Sequence, residues 1–84
     1  MQQTDEKNLK IFGQKIRELR IKQSKSLNKF VMNRGHITTA TWSRIENGKF
    51  DFKFSTLIKV ALMLGMKVDT LLKLMDFDYN YIEN

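Results

Sequence analysis

Four apolar residues in the first quarter of the chain are spaced as on one face of a helix. They are Leu9, Phe12, Ile16 and Leu19. The steps between them are three, four and three residues, close to the helical repeat. We therefore predict a first helix that buries this face and ends near Gln23.

A second, shorter helix is indicated between Ser26 and Gly35. Ser26 is a favoured N-cap residue, because its hydroxyl can accept a hydrogen bond from a backbone N–H of the first turn. Phe30 and Val31 are expected to face inward, and the pattern runs to about Arg34. Gly35 then ends the helix.

Two further helices are predicted in the second half of the chain, the fourth and fifth in order. The fourth carries Leu57, Val60, Ala61 and Leu64, and the fifth carries Val68, Leu71, Leu72 and Met75. Both sets follow the helical repeat. Gly65 suits the position just past the fourth helix, where a left-handed backbone favours glycine.

The last eight residues, 77–84, follow a different pattern. Phe77, Tyr79 and Tyr81 alternate with polar residues, which is the period of an extended segment. The pattern leaves open a short extended segment or a frayed end. Three roles stay open for the aromatic side chains: packing against the last helix, contact in a dimer, or disorder.

Residues 38–50, TTATWSRIENGKF, allow two interpretations. Asn-Gly between apolar residues is a strong hairpin signal. However, Trp42 and Ile45 are three residues apart and Thr41 lies four before Ile45, which is helical spacing. We predict a helix over residues 39–47, with Thr38 as N-cap, Trp42 in the core and Gly48 ending it.

The polar arc of this third helix carries short side chains and one long cation. Its members are Thr39, Ala40, Ser43, Arg44 and Asn47. A solvated helix face usually carries Glu, Lys and Gln, whereas a helix that enters the major groove needs short side chains and directional donors. Two short helices joined by a glycine-containing turn, the second with such a face, predict a helix-turn-helix.

The formal charge of the 84-residue chain is unevenly distributed. Residues 1–49 hold 11 Lys/Arg and 4 Asp/Glu, a net charge of +7, whereas residues 50–84 hold 4 and 5, a net charge of −1. A basic half joined to a near-neutral half indicates one surface for a polyanion and another for a different contact. The length fits one small domain with a marginal core.

Composition argues against several other classes of protein. The chain has no cysteine and one histidine, His36, which we interpret as a turn residue, so no disulfide or metal site is expected. No Ser/His/Asp set, carboxylate pair or phosphate-binding loop is visible, so we expect neither enzymatic activity nor a cofactor. No apolar run reaches the ~18–20 residues of a membrane span, and no signal peptide is visible. We expect an intracellular chain without a membrane partner.

Four blocks of the sequence, taken in order, are similar to one known family. They read FGQKIRELR, SLNKFV, ITTATWSRIENGK and TLIKVALMLGMKVDTLL. Together they cover about residues 9–73 and resemble the Cro- and phage-repressor-type helix-turn-helix family, often called Xre-like. The resemblance implies an all-α fold, a compact five-helix lambda-repressor-like DNA-binding domain.

The resemblance also implies which residues contact DNA. The base-contacting positions of the family match Thr39, Ala40, Ser43 and Arg44. Arg44 is interpreted as a base reader or a phosphate clamp, with a plain surface charge as the alternative. Further candidates for contact with phosphate are Lys15, Arg17, Ser26, Lys29, Thr38, Asn47 and Lys49.

One structural pair is implied in the same way. The family pairs an arginine late in its first helix with the glutamate before Asn-Gly, and these positions match Arg20 and Glu46. Glu46 lies at the edge of the buried arc and therefore needs a partner. Lys53 and Lys67 stand where the family often has a capping serine, so the fourth and fifth helices are expected to start without a side-chain cap.

The sequence therefore predicts a regulator of transcription, with residues 1–76 as the DNA-binding domain and 77–84 as a tail available for a dimer contact. We expect a cytoplasmic repressor, bacterial or phage-encoded, that binds double-stranded DNA as a homodimer. The alternative is an antitoxin-type interaction module that neutralises a partner toxin and also binds its own operator. An anti-repressor protein is a further possible partner.

Overall fold

The computed structural model describes residues 2–81, which form five α-helices and no strand. The helices are α1 (Gln3–Gln23), α2 (Leu27–Arg34), α3 (Thr39–Glu46), α4 (Phe54–Leu64) and α5 (Val68–Lys73). The predicted all-α fold with five helices is confirmed. Two boundaries were wrong: Met75 lies beyond α5, because Leu74 already caps that helix, and α3 ends at Glu46 because Asn47 is its C-cap.

The starts of the helices differ in how their free N–H groups are satisfied. The hydroxyl of Ser26 accepts a hydrogen bond from Lys29 N–H at 3.3 Å, and that of Thr38 accepts from Thr41 N–H at 3.2 Å. The starts of α4 and α5 have no side-chain cap. The two helices of the predicted motif are therefore better defined at their starts than the two that follow.

The core lies between α1, α3 and the helices that flank them. Trp42 is fully buried, and the centroid of its ring lies 4.8 Å from that of the Phe30 ring on α2. The buried apolar residues are Phe12, Ile16, Phe30, Val31, Ile37, Trp42, Ile45, Val60, Ala61, Met63, Leu64 and Leu71. The prediction that Trp42 packs in the core is confirmed.

Side chains from α1 and α2 hold the end of α4. Gln23 donates to the carbonyl oxygen of Leu64 at 2.8 Å, and Arg34 donates to that of Met63 at 2.8 Å. These carbonyls lack partners within the helix, so the two bonds satisfy the end of α4 and attach it to α1 and α2. Gly65 ends α4 in the left-handed conformation, as the sequence predicted.

Residues 77–81 are irregular and lie against the first turns of α1. The side-chain amide of Asn8 donates to the Asp78 carbonyl at 2.7 Å and accepts from the Asp78 N–H at 2.7 Å. The Asn80 N–H, and then Lys7, lower the pKa of the Asp78 carboxyl. The described part of the tail is docked, while Tyr79 is 79% exposed. Residues 82–84 of the predicted tail lie outside the described residues, as does residue 1.

Candidate nucleic-acid interface

Helix α3 has one buried side and one accessible side. Trp42 and Ile45 anchor it, with 0% and 1% of their surfaces exposed. On the other side Ala40, Arg44 and Asn47 are exposed, whereas Thr39 and Ser43 are half-buried. The structure therefore brings the five residues of the polar arc onto one face. Within it, the Asn47 amide donates to the Ser43 carbonyl at 2.9 Å.

The turn between α2 and α3 is short and anchored. Its residues Gly35 and His36 both have positive φ, 71° and 72°, a conformation that is uncommon for a side chain such as imidazole. Ile37 is buried, with 8% of its surface exposed, and it fastens the turn to the core. The exposed His36 lies in this turn, so its observed position agrees with the turn residue expected from sequence.

A buried ion pair connects α1 to the end of α3. Arg20 Nε and Nη2 donate to the two carboxylate oxygens of Glu46, each at 2.9 Å. The side chains are 7% and 5% exposed, and hydrogen bonding to Glu46 raises the pKa of Arg20. Arg20 Nη1 also donates to the Lys25 carbonyl at 3.0 Å. One guanidinium thus joins α1, the α1–α2 turn and α3.

The carboxylate of Glu46 has a third donor that the sequence reasoning missed. The indole Nε1–H of Trp42 donates to Glu46 Oε2 at 2.6 Å. A buried indole N–H usually has an acceptor, and Trp42 precedes Glu46 by one helical turn, so that spacing was the available signal. Trp42 therefore packs the core and also orients the ion pair.

Gly13 on α1 is a second residue that the sequence reasoning missed. A Cβ atom at this position would lie 2.6 Å from the Glu46 carbonyl oxygen and closer still to that of Ile45. Both obstacles are backbone atoms, so they cannot rotate away. The available signal was a glycine inside a helical pattern, which often marks a close approach of two elements.

We expect Gly13→Ala to destabilise the fold although alanine is the better helix former. The forced separation of α1 and α3 should lower the free energy of unfolding by about 1–3 kcal/mol. Urea unfolding measures the change, and Gln14→Ala, at the exposed neighbouring position, is the control with a change near zero. Equal stability of the two variants would contradict the close packing of α1 on α3.

Comparison with known proteins places this arrangement in a family. The family model described as a helix-turn-helix domain matches residues 13–76. The chain belongs to the helix-turn-helix domain family. Searches of curated proteins and of solved structures return no match. Membership supports DNA as the partner of this helix-turn-helix domain.

The family match leaves out residues 3–12 of α1 and the tail. These two additions contact each other through Asn8 and Asp78. They therefore form a small extension at one end of the helix-turn-helix domain.

The end of α3 in this helix-turn-helix domain reverses the chain sharply. The Lys49 N–H donates to the Arg44 carbonyl at 3.0 Å, and the Gly48 N–H donates to that of Ile45 at 3.1 Å. This pattern is the Schellman motif, which needs the left-handed conformation that Gly48 adopts with φ of 68°. Residues 49 and 50 are consequently turned back towards the exposed face of α3.

The candidate phosphate-contacting residues are spread over α1, α2 and both ends of α3. Six of the seven are exposed: Arg17, Ser26, Lys29, Thr38, Asn47 and Lys49. The seventh, Lys15, is half-buried and pairs with Glu18 at 3.1 Å. Its neighbours in a surface groove include Leu74 and Asp76, which follow α5. Lys15 thus already has a partner, whereas the exposed Lys49 forms no ion pair within residues 2–81.

None of the helices within residues 2–81 is long and apolar enough to span a membrane. In the same part of the chain, no three His, Cys, Asp or Glu side chains come together in a way that would hold a metal ion.

Proposed function

We propose that this helix-turn-helix protein is an Xre-like regulator of transcription, acting as a repressor, that reads its operator with α3 in the major groove. The observation that carries the proposal is the accessible face of α3. It has short side chains and a single long donor, Arg44, while the opposite face is anchored by fully buried residues. Such a face permits close approach to base edges.

Each residue of this face has a distinct role in the proposal. The planar fork of Arg44 suits O6 and N7 of guanine. Thr39 and Ala40 offer methyl groups, which suit the methyl group of thymine, whereas Ser43 is too short to discriminate strongly. Each half-site should therefore contain one strongly specified G·C pair beside positions that favour A·T.

Contacts with phosphate would orient the domain on the duplex. The proposed contacts are Lys15, Arg17, Ser26, Lys29, Thr38, Asn47 and Lys49. The side chains of Ser26 and Thr38 already cap α2 and α3. The phosphate would therefore be bound by the N-terminal ends of these helices, where backbone N–H groups and the helix dipole favour an anion. These contacts add affinity for any sequence.

A specific observation favours the homodimer. Phe54, Ile58 and Leu62 recur every four residues along α4, and they are 74%, 40% and 58% exposed. They form one apolar stripe on the near-neutral half of the chain, where a second copy would not compete with DNA for charge. We propose a two-fold dimer through this stripe that binds half-sites about one helical turn apart, roughly 34–36 Å, as helix-turn-helix dimers do.

We expect Leu62→Glu to convert the dimer to a monomer. The substitution places a charge in the proposed apolar contact but leaves the monomer intact, because Leu62 is exposed on its surface. Sedimentation equilibrium measures the mass, and Lys59→Glu on the same helix is the matched control. A dimer that persists in Leu62→Glu would exclude the α4 stripe as its interface.

The decisive experiment on readout is a binding selection on randomised DNA. We expect Arg44→Ala to lose about 1–3 kcal/mol on the selected site and to relax the preference at one G·C pair. Lys49→Ala should weaken binding to all sequences alike. If Arg44→Ala keeps the parent's whole preference and loses only affinity, Arg44 contacts phosphate and the readout proposal is wrong.

The second candidate function is the antitoxin-type interaction module. The α4 stripe supports it as well, since an exposed apolar helix face also suits a toxin or an anti-repressor protein. Binding of the purified protein alone to DNA upstream of its own gene would favour the regulator. A tight complex with a toxin encoded beside it would favour the antitoxin. Either role is non-enzymatic and, in this proposal, cytoplasmic, with residues 1–76 as the DNA-binding unit.

A further inference from the structure

Arg44 has one neighbour that its proposed role does not require. Its guanidinium carbon lies 4.9 Å from the centroid of the Phe50 ring. Within residues 2–81, the Arg44 side chain forms no ion pair. Contact with the ring is therefore the interaction that holds the end of this side chain in the DNA-free protein.

The Phe50 ring is itself held by contact with Phe52 and by the turn at Gly48. Its centroid lies 6.4 Å from that of Phe52, which in turn lies 5.0 Å from the ring of Phe12, a core residue with 4% of its surface exposed. The Schellman motif at Gly48 turns the chain back, which brings Phe50 beside the last turn of α3. A row of three rings thus connects the core to the guanidinium.

Stacking on a ring restricts a guanidinium without using its donors. The aromatic face attracts the flat side of the cation, while the N–H groups point outward in the plane of the group. An arginine held in this way loses less conformational freedom when it meets a fixed pair of acceptors. Because the Arg44 side chain is restricted before it binds, it favours the one base pair whose acceptors match its orientation.

We propose that Phe50 is a positioning residue for sequence readout: its ring holds Arg44 in the orientation that recognises guanine. The inference rests on the proposed function, in which Arg44 contacts a base. Phe50 itself does not touch DNA. Its effect is therefore confined to the base pair that Arg44 reads, and it vanishes when Arg44 is absent.

The test is the binding selection on randomised DNA, applied to Phe50→Leu and Phe50→Tyr. Leucine keeps an apolar side chain but lacks the ring face, whereas tyrosine keeps the face. We expect Phe50→Leu to weaken the preference at the Arg44-dependent G·C pair about two- to fivefold, as suits an exposed cation–π contact. Phe50→Tyr should retain the preference, and the other positions of the site should be unchanged in both variants.

A second measurement examines the contact in the free protein. The Phe50 ring current should displace the NMR signal of the Arg44 side chain, which is assigned by its loss in Arg44→Ala. Phe50→Leu should return this signal to the position of an ordinary exposed arginine, while Phe50→Tyr should not. An undisplaced signal in the parent protein would overturn the inference, whatever the stability of the variants.

The outcomes separate this inference from the proposed function. If the parent has no sequence preference, or Arg44→Ala retains it, the proposed readout fails and the inference fails with it. If Arg44→Ala behaves as expected but Phe50→Leu keeps the full preference, only the inference is overturned. The inference alone also fails if Phe50→Leu weakens all sequences equally, or weakens the G·C preference further in a protein that already lacks Arg44.

Discussion

Glu46→Ala is expected to remove most of the stability of the domain. The substitution leaves the buried guanidinium of Arg20 without a carboxylate and the indole N–H of Trp42 without an acceptor. Breaking a buried pair by removing one partner costs about 3–5 kcal/mol. Small domains have free energies of unfolding of only about 5–15 kcal/mol, and a chain of this length lies towards the lower end.

Urea unfolding of the parent and the variant measures this loss, and the chain offers a matched control. Glu18 also pairs with a cation, Lys15 at 3.1 Å, but on the surface, where the two side chains are 53% and 36% exposed. Glu18→Ala should therefore change stability by about 0–1 kcal/mol. If Glu46→Ala and Glu18→Ala unfold at the same urea concentration, the Arg20–Glu46 pair is exposed in solution.

A double-mutant cycle separates the pair from its surroundings. Once Glu46 is absent, removal of Arg20 no longer breaks an ion pair, so the double variant should be less destabilised than the sum of the single variants. Arg20 also donates a hydrogen bond to the Lys25 carbonyl. The loss of this bond should contribute a destabilisation of the Arg20 variant that does not depend on Glu46. Strictly additive effects would show that the two side chains do not interact.

The local pattern of apolar and polar residues was sufficient to predict the helices, because the apolar residues of each helix follow the helical repeat. The Asn47–Gly48 dipeptide illustrates this, since it favours a hairpin in isolation. The spacing of Trp42 and Ile45 overrode it, because these residues reach the core together only on a helix. Gly48 serves the helix end instead, with φ of 68°.

Contacts between distant segments could not be predicted from the pattern. The need for glycine at position 13 arises from the carbonyl oxygens of Ile45 and Glu46, more than 30 residues away, and depends on the distance between two helix axes. The ring of Phe50 lies over Arg44 only because of the Schellman turn between them. Neither arrangement has a period, so no repeat in the sequence indicates it.

In the tail, too, the polar contacts with a distant segment could not be predicted from the sequence pattern. The alternation of Phe77 and the later aromatic residues with polar residues left open either an extended segment or a frayed end. The described backbone is fixed by the amide of Asn8, which forms two hydrogen bonds with Asp78, 70 residues away. A side-chain amide that pairs with the backbone of a distant residue leaves no trace in the hydropathy pattern. The contact between Asn8 and Asp78 is therefore visible only in the tertiary structure.

Affinity for DNA is expected to fall steeply with salt. Residues 1–49 carry a net charge of +7, and most of the candidate phosphate contacts there are exposed. If a dimer neutralises roughly 6–10 phosphates, its affinity should decrease about 10³–10⁵-fold between 50 and 200 mM salt, because bound cations are released from the DNA. Mobility shift on the DNA upstream of its own gene, across this salt range, measures the slope.

Two lysine substitutions show whether the slope comes from the predicted surface. Lys49, at the end of α3, is a candidate contact, so Lys49→Ala should reduce the slope by about one for each phosphate that the variant no longer neutralises. Lys73 is also exposed but lies at the end of α5, in the near-neutral half, so Lys73→Ala should leave the slope unchanged. Equal reductions would mean that net charge alone governs binding, and affinity that is independent of salt would rule out phosphate contact by either half.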